Sequence, residues 1–279
     1  MKLPATRVIL FNVAAGLVTI AAVVAVVRSL VHTPALAPCT ERYPSGTAFA
    51  LEQGGVLLTS ADLQARLSGK DIGLGDNVKI ARMKDAPTPV ALGVTLAKGS
   101  VAPHVHDVPR GGVTFAWDPR SLHGKTAACL AYSVLLPAGF QFHQGGVLPG
   151  IRGSEDADQL KEGFMALLAW RRNGRLGVTT FVDNRSGPVE VEPVTFPEGR
   201  WVKLEQEVVL NTPKKADGIL RVWVSGVLAV ERSDISYRSK PAVALASVAA
   251  EVHYGGADAQ GAAPKDAKVW LSPFQVRWQ

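Results

Sequence analysis

Three side chains in the second half of the sequence could together carry out acid–base chemistry beside a carboxylate. His143 could serve as a general base, because imidazole titrates near neutral pH. Arg152 could bind a carboxylate through its planar guanidinium. Tyr254 or its neighbour His253 could donate a proton if the last strands border the same cleft. The same residues also fit a loop histidine, a solvated arginine and a core tyrosine, so their chemistry depends on the elements that position them.

Other polar groupings are weaker indications of chemistry. His104 and His106 have the same-face spacing of two metal ligands, but no third ligand is evident, and a solvent loop is the preferred interpretation. Glu205 and Glu207 place two carboxylates on one strand face, which would suit glycoside hydrolysis. Alternation along an exposed strand face is the preferred explanation for them. No phosphate-binding glycine loop or Gly-x-Ser-x-Gly motif occurs, and we expect neither a metal nor another cofactor.

The charge balance gives no support for nucleic-acid binding. The 279 residues contain 30 Lys and Arg against 24 Asp and Glu, a formal charge of +6. Three of the positive residues precede Cys39, where no acidic residue occurs, so the remainder carries +3. So small an excess does not predict nucleic-acid binding, yet it would not repel an acidic polymer.

An apolar run near the N-terminus predicts a membrane anchor. Val8 to Val27 are 20 uncharged residues, and a helix of that length spans about 30 Å, the thickness of a bilayer's hydrocarbon core. Lys2 and Arg7 precede the run, which predicts a cytoplasmic N-terminus and export of everything after it. A cleaved signal peptide is the alternative, although its apolar region is normally shorter. Either way, the body of the protein is expected on the periplasmic or extracellular face.

Export would place the two cysteines in a compartment where they could form a disulfide. Cys39 lies just beyond the predicted anchor, and Cys129 lies within an apolar strand pattern. In an oxidising compartment the two could form one disulfide. The alternative is a buried thiol at Cys129 and an unpaired Cys39.

The remainder of the chain predicts an all-β sandwich. Short apolar or alternating runs are separated by Gly, Pro, Asn and Asp turns, and one short helix is predicted with Ser60 as its N-cap and Gly69 as its terminator. Ala127–Leu136 is apolar throughout and is predicted to be a central strand covered on both faces. Ile219–Val230 reads as a hairpin turning at Ser225-Gly226. We predict a cytoplasmic tip and anchor over residues 1–30, a tether over 31–46 and one antiparallel sandwich or jelly-roll domain over 47–279.

Several segments resemble the alginate-lyase-like polysaccharide lyases of family fourteen and their glucuronan-lyase relatives. The segments are Tyr132–Gly150, Ala169-Trp170-Arg171, Val222-Trp223-Val224-Ser225-Gly226 and Tyr254-Gly255-Gly256. The resemblance covers roughly residues 85–279 and depends on the order and spacing of the segments together. It implies a concanavalin-like jelly roll with a cleft on its concave sheet.

The resemblance implies β-elimination from a uronic acid polymer, a reaction that needs a cation at the C6 carboxylate, a base for the C5 proton and an acid for the C4 oxygen. It also implies a Lys in the Gly-Gly-Lys segment, an Arg on the Trp-Arg strand and a Tyr-x-Tyr pair on the next strand. Of these only the Arg is retained, as Arg171. Val147 and Gln144 stand where the family has lysines, Leu167 replaces a second Arg, and strand 178–182 holds no Tyr.

The candidate site residues form two groups. We predict His143, Arg171 and Tyr254 as the catalytic group, and Gln144, Arg152, Trp117 and Trp170 as the substrate-binding group, with the two tryptophans stacking on sugar rings. The first functional hypothesis is an anchored, exported, lyase-like protein that engages an acidic polysaccharide, with cleavage left open. The second is a carbohydrate-binding module that has lost the chemistry. The third is an envelope structural protein that binds another protein.

Overall fold

The structure is a computed structural model that describes residues 14–23, 36–67, 70–155, 163–182, 185–189, 194–255 and 259–279. Residues 1–37 and Pro38–Gln279 form two separate compact units. In the first unit, residues 14–23 are helical, and the rest of the predicted span from Val8 to Val27 lies outside the described residues. Within the described residues, no helix has both the length and the hydropathy needed to cross a membrane.

The second unit consists mainly of β-strands. Its helices are single turns: α1 (Cys39–Arg42), α2 (Ser60–Gln64) and α3 (Leu74–Asn77), with 3₁₀ turns at Arg120–Leu122, Arg172–Gly174 and Ala259–Gly261. Its strands are β1 (Ser45–Ala48), β2 (Glu52–Gln53), β3 (Val56–Leu57), β4 (Val78–Arg82), β5 (Val90–Leu96), β6 (Val113–Trp117), β7 (Ala127–Leu135), β8 (Gly146–Ser154), β9 (Gly163–Trp170), β10 (Leu176–Val182), β11 (Arg185–Val189), β12 (Trp201–Val209), β13 (Gly218–Val224), β14 (Val227–Ile235), β15 (Ala244–Tyr254), β16 (Ala267–Leu271) and β17 (Gln275–Trp278).

Two antiparallel sheets enclose one core. The first has the order β14-β13-β12-β7-β16-β5-β4, with β17 pairing to both β7 and β1, and the second has the order β11-β10-β9-β8-β15-β6. Both sheets contribute buried side chains to a single hydrophobic cluster. The all-β class and the two-sheet sandwich are therefore confirmed.

Alternation along the strands separates a core face from an outer face. On β9, Phe164, Leu168 and Trp170 belong to the hydrophobic cluster, whereas Leu167 and Ala169 do not. Successive side chains of a strand point to opposite faces, so the second set lies on the outer face of the six-stranded sheet. The predicted hairpin is also confirmed, because β13 and β14 pair around Ser225 and Gly226, which both have positive φ.

Segment Pro38–Pro44, here called the strap, covers the outer face of the nine-stranded sheet. A disulfide joins Cys39 in the strap to Cys129 on β7. The strap's Thr40 donates to Glu205, and its Tyr43 hydroxyl donates to Glu207 at 2.7 Å. This covering explains why β7 is buried on both faces, as predicted, and it means that the compact unit begins inside the segment predicted as a tether.

Two local expectations are corrected. Glu205 and Glu207 are each only 1% exposed, because the strap lies over them, so they are not members of a solvated strand face. Helix α2 is capped by Thr59 rather than Ser60, since the Thr59 side chain accepts from the Asp62 amide while Asp62 accepts from the Thr59 amide. The predicted terminator, Gly69, lies outside the described residues.

Side chains from the nine-stranded sheet reach across the core and hold β8 in place. The register of β8 against β9 shifts between Leu148 and Gly150, around Pro149. Tyr132 donates to the Pro149 carbonyl at 2.9 Å, and Gln206 accepts from the Ile151 amide at 3.1 Å. Backbone groups at the irregularity therefore have buried partners, which fixes the strand that borders the site described next.

Candidate functional site

A groove with a volume of about 400 Å³ lies on the outer face of the six-stranded sheet, where β8, β9 and β10 run side by side. Its lining side chains include Gln144, Val147, Leu167, Ala169, Arg171, Arg172, Thr179, Phe181 and Gln260. Pairing places Val147 opposite Ala169, Leu167 opposite Thr179 and Met165 opposite Phe181. Strand alternation thus brings side chains from three strands together on one surface.

Arg171 is the half-buried cation of the groove. Its Nη2 donates to Thr179 Oγ1 at 2.7 Å. Within the described part of the chain, no carboxylate forms an ion pair with Arg171. The arginine stem lies against Gly177, where a Cβ would be only 2.3 Å from Arg171 Nε. Burial lowers the pKa of Arg171 from its ordinary value, but a guanidinium keeps its charge at neutral pH.

The other polar groups lie at one end of the groove. Arg172 Nε donates to Gln144 Oε1 at 2.9 Å, and Arg172 Nη2 contacts the same oxygen. An adjoining hollow of about 310 Å³ shares Gln144 and Arg172 with the groove and is also lined by His143. His143 is exposed, and its Nε2 lies 2.7 Å from the Gln260 carbonyl. The structure thus brings Gln144 and Arg171 into one groove, with His143 beside it.

The remaining predicted site residues lie elsewhere. Tyr254 is on the core face of β15, its hydroxyl donates to the Gln141 carbonyl at 2.6 Å, and burial raises its pKa. Trp170 is fully buried against Phe140 and Tyr254, and Trp117 belongs to the same core. Neither indole offers a free face to a sugar, because both are packing residues.

Arg152 and His253 lie on the outer face but are buried beside the groove. Arg152 is 8% exposed on β8, opposite Ser247 and Met165. His253 stands opposite Val147, with Nδ1 at 2.7 Å from the Tyr254 carbonyl. The side chains of Arg152 and His253 are both buried on the outer face of the sheet, and neither lines the groove.

Sequence reasoning missed Arg172, Thr179, Phe181 and Gln260 as lining residues. Thr179 and Phe181 are two residues apart on β10, as in a Tyr-x-Tyr pair, so period-2 alternation could have placed them on one face. Gln260 belongs to a 3₁₀ turn far along the chain and gave no such signal.

The groove's lining suits anion binding better than proton transfer. Val147 and Leu167 occupy its floor, where the resemblance implies a lysine and an arginine. Among the described lining residues, none carries an imidazole, carboxyl, amine or phenol. A base within the groove itself is therefore missing from the part of the chain that the structure describes, whereas a guanidinium for an acidic group is present.

The described residues contain one grouping of potential metal ligands, which is Cys39, Cys129 and Glu205. Both sulfur atoms of that grouping belong to the disulfide. His104 and His106 are not part of it. The described residues give no support for a metal site in the groove.

Known proteins show where this architecture recurs. The chain superposes on the PL-14 alginate lyase from Aplysia kurodai with a TM-score of 0.61 and 23% identity, covering 75% of this chain and 89% of that one. For alginate lyase vAL-1 from Chlorella virus, the TM-score is 0.60 at 18% identity, covering 75% and 91%. Alginate lyase Aly36B gives 0.59 at 15% identity, covering 84% and 97%. These identities support a common fold and no more.

A comparison with curated protein sequences gave no match. The family model described as Polysaccharide lyase 14 matches residues 84–274, which is more than half of the chain. That range contains β5 to β16 and every lining residue of the groove. The chain therefore belongs to the polysaccharide lyase 14 family.

Proposed function

We propose that this chain is an exported, membrane-anchored protein that binds an acidic, uronic acid polysaccharide in the groove. The observation that carries the proposal is the half-buried Arg171, which lines the groove and has no carboxylate partner among the described residues. Thr179 fixes one N–H of the guanidinium, and the planar fork can form paired hydrogen bonds with a sugar carboxylate. Partial burial strengthens that attraction, because less water screens it.

Binding without β-elimination is the activity that the lining residues support best. Val147 cannot remove the C5 proton, and Phe181 cannot protonate the leaving C4 oxygen. Arg171 can still neutralise a carboxylate, which is a binding interaction whether or not a reaction follows. Family membership supports a polysaccharide as the ligand, and the relatives described as alginate lyases support a uronic acid polymer.

The test of binding compares one polymer with and without its charge. The full chain, solubilised in detergent, is titrated with alginate and with alginate whose carboxyl groups have been reduced to alcohols. We expect binding to alginate and a loss of roughly tenfold or more with the reduced polymer, because the charge-assisted hydrogen bonds are absent. Equal affinity for both polymers would contradict the proposed role of Arg171.

Cleavage is a second candidate, favoured by the position of His143. A carbonyl oxygen can only accept, so the contact with Gln260 requires a proton on Nε2 and leaves Nδ1 of the neutral imidazole as a free base. If a sugar bound at Arg171 extends into the adjoining hollow, that nitrogen could take its proton. Ultraviolet-absorbing unsaturated products from alginate or glucuronan, lost in His143→Ala, would establish this activity. With binding alone, neither polymer yields such products.

Three features support membrane anchoring and export. The run from Val8 to Val27 is long enough to span, Lys2 and Arg7 precede it, and the Cys39–Cys129 disulfide fits an oxidising compartment. We expect the chain to stay in the membrane fraction through an alkaline carbonate wash. Release into the wash would contradict anchoring and would favour a cleaved signal peptide.

A further inference from the structure

Part of the floor of the groove is apolar, including two positions where the resemblance implies charged residues. Leu167 and Ala169 are each 2% exposed at its centre, and Val147 and Phe181 flank them half-buried. Val147 stands opposite Ala169, whereas Thr179 stands opposite Leu167 and Phe181 opposite Met165, so Val147 and Phe181 lie at opposite ends of the floor. Arg171 follows Ala169 on the same face of the chain, and its side chain crosses Gly177 to reach Thr179, which places the cation beside Leu167.

A polymer with free hydroxyl groups is poorly matched to such a floor. Each hydroxyl pressed against Val147 or Leu167 would lose its water and gain no hydrogen bond. An O-acetyl group removes the hydroxyl donor and presents a methyl group that an apolar floor can bury favourably. The ester carbonyl needs only one donor, and the amide NH₂ of Gln144 can supply it because Arg172 occupies the Oε1 of that side chain.

We infer that the groove selects uronic acid polymers that are O-acetylated, with the acetyl methyl on Val147 and the sugar carboxylate on Arg171. This inference rests on the proposed function, because it names the form of polysaccharide that the same groove takes. On this inference, apolar residues stand where the resemblance implies charged and hydroxyl-bearing ones because the ligand has changed. The replaced positions then determine specificity.

The experiment uses O-acetylated alginate and the same preparation after alkaline deacetylation, each titrated into the full chain in detergent. We expect roughly tenfold tighter binding of the acetylated polymer, the discrimination typical of one small apolar group in a matched pocket. This comparison needs no variant, so it cannot be spoiled by misfolding. Equal affinities, or tighter binding of the deacetylated polymer, would overturn the inference.

A matched pair of variants tests whether the preference for the acetylated polymer arises at the floor of the groove. Val147→Lys places a cation at the half-buried edge of the floor, and it is expected to abolish the preference and to strengthen binding of the deacetylated polymer. Val227→Lys makes the same change at a valine that is 70% exposed on β14, and it is expected to leave the preference intact. A preference that survives Val147→Lys would overturn the assignment to this floor.

The outcomes separate the inference from the proposed function. If both polymers bind equally and Arg171→Ala weakens both, the groove binds uronans and only the acetyl selectivity is wrong. If neither polymer binds, or if Arg171→Ala changes neither affinity, the proposed function itself is wrong.

Discussion

At the scale of single residues, Arg171 derives its position from two neighbours on β10. Thr179 fixes the guanidinium by a hydrogen bond, and Gly177 leaves room for the stem to lie on the sheet. Both neighbours lie on the outer face, because they alternate with the core residues Leu176 and Val178. The position of the groove's cation therefore depends on Gly177, which does not line the groove, as well as on the lining residue Thr179.

A substitution at Gly177 tests this dependence. The Cβ of Gly177→Ala would meet Arg171 Nε at 2.3 Å, so the arginine must move away from Thr179. We expect uronan affinity to fall roughly tenfold, from loss of a preorganised charged hydrogen bond. Titration of the full chain with alginate measures this. Gly187→Ala on the adjacent strand is the control, since the nearest atom is 4.0 Å from its Cβ, and unchanged affinity in Gly177→Ala would contradict the account.

Glu207 is the residue whose ionisation should govern stability in acid. Arg42, Tyr43 and Arg221 all donate to its carboxylate, and these hydrogen bonds lower its pKa below the ordinary value despite the opposing effect of burial. The stabilisation is therefore fully present above the ordinary carboxyl pKa of the unfolded chain. It is lost as the pH falls through the lowered pKa of the folded state.

Chemical denaturation between about pH 6 and pH 2 measures this effect. We expect the free energy of unfolding to fall with acid in the wild type and to fall less steeply in Glu207→Gln, which is also less stable at neutral pH because Arg42 and Arg221 each lose a charged partner. Glu41→Gln, at an exposed position in the same strap, should keep the wild-type slope. An unaltered slope in Glu207→Gln would refute the assignment.

At the scale of elements, the strap is the segment whose structure a local sequence pattern could not supply. Glu205 and Glu207 alternate as exposed strand residues do, but the disulfide to Cys129 and the hydrogen bonds from Thr40 and Tyr43 hold the strap over them. The sequence alone did not decide whether the two cysteines form a disulfide, because residues 90 positions apart can pair only if the fold brings them together.

Removing the bridge should lower stability through the unfolded state. The disulfide closes a loop of 90 residues, for which loop-closure entropy gives about 4.6 kcal/mol. We expect the double variant Cys39→Ser, Cys129→Ser to unfold at a lower denaturant concentration by that order of free energy. Reducing agent should shift the wild type in the same direction and leave the double variant unchanged. A wild type insensitive to reduction would contradict the role given to the bridge.

The strands themselves were largely predictable, but the faces of some strands were not. The period-2 pattern and the Ser225-Gly226 turn identified the hairpin of β13 and β14. In β9, Leu167 and Leu168 are both apolar and both buried, so the sequence did not reveal which of them faces the core. For the same reason, the sequence did not show that Trp170 faces the core or that the groove residues face outward.

At the scale of the whole molecule, the sandwich separates stability from binding. The nine-stranded sheet carries the disulfide and the strap's ion pairs on its outer face, while the six-stranded sheet carries the groove on its outer face. The two surfaces share only the core between them. This arrangement is consistent with keeping the fold while the groove lacks the lysine and tyrosines that the resemblance implies.

Ionic strength should change the affinity of the groove for alginate but not the stability of the fold. The interaction assigned to Arg171 is partly screened, since the Debye length at physiological salt is about 8 Å. We expect alginate affinity to fall as sodium chloride is raised, while the denaturant midpoint of the Pro38–Gln279 unit changes little. Salt-independent alginate binding would indicate an attachment that does not use charge.

The most direct measurement of the central claim compares two arginines four residues apart. Arg171 lines the groove, whereas Arg175 is exposed and does not. The full chain and its Arg171→Ala and Arg175→Ala variants are titrated with the same uronan. The account predicts a loss of roughly tenfold to a hundredfold in affinity for Arg171→Ala and wild-type affinity for Arg175→Ala. Equal affinities for all three proteins, each shown to be folded by its denaturation midpoint, would contradict it.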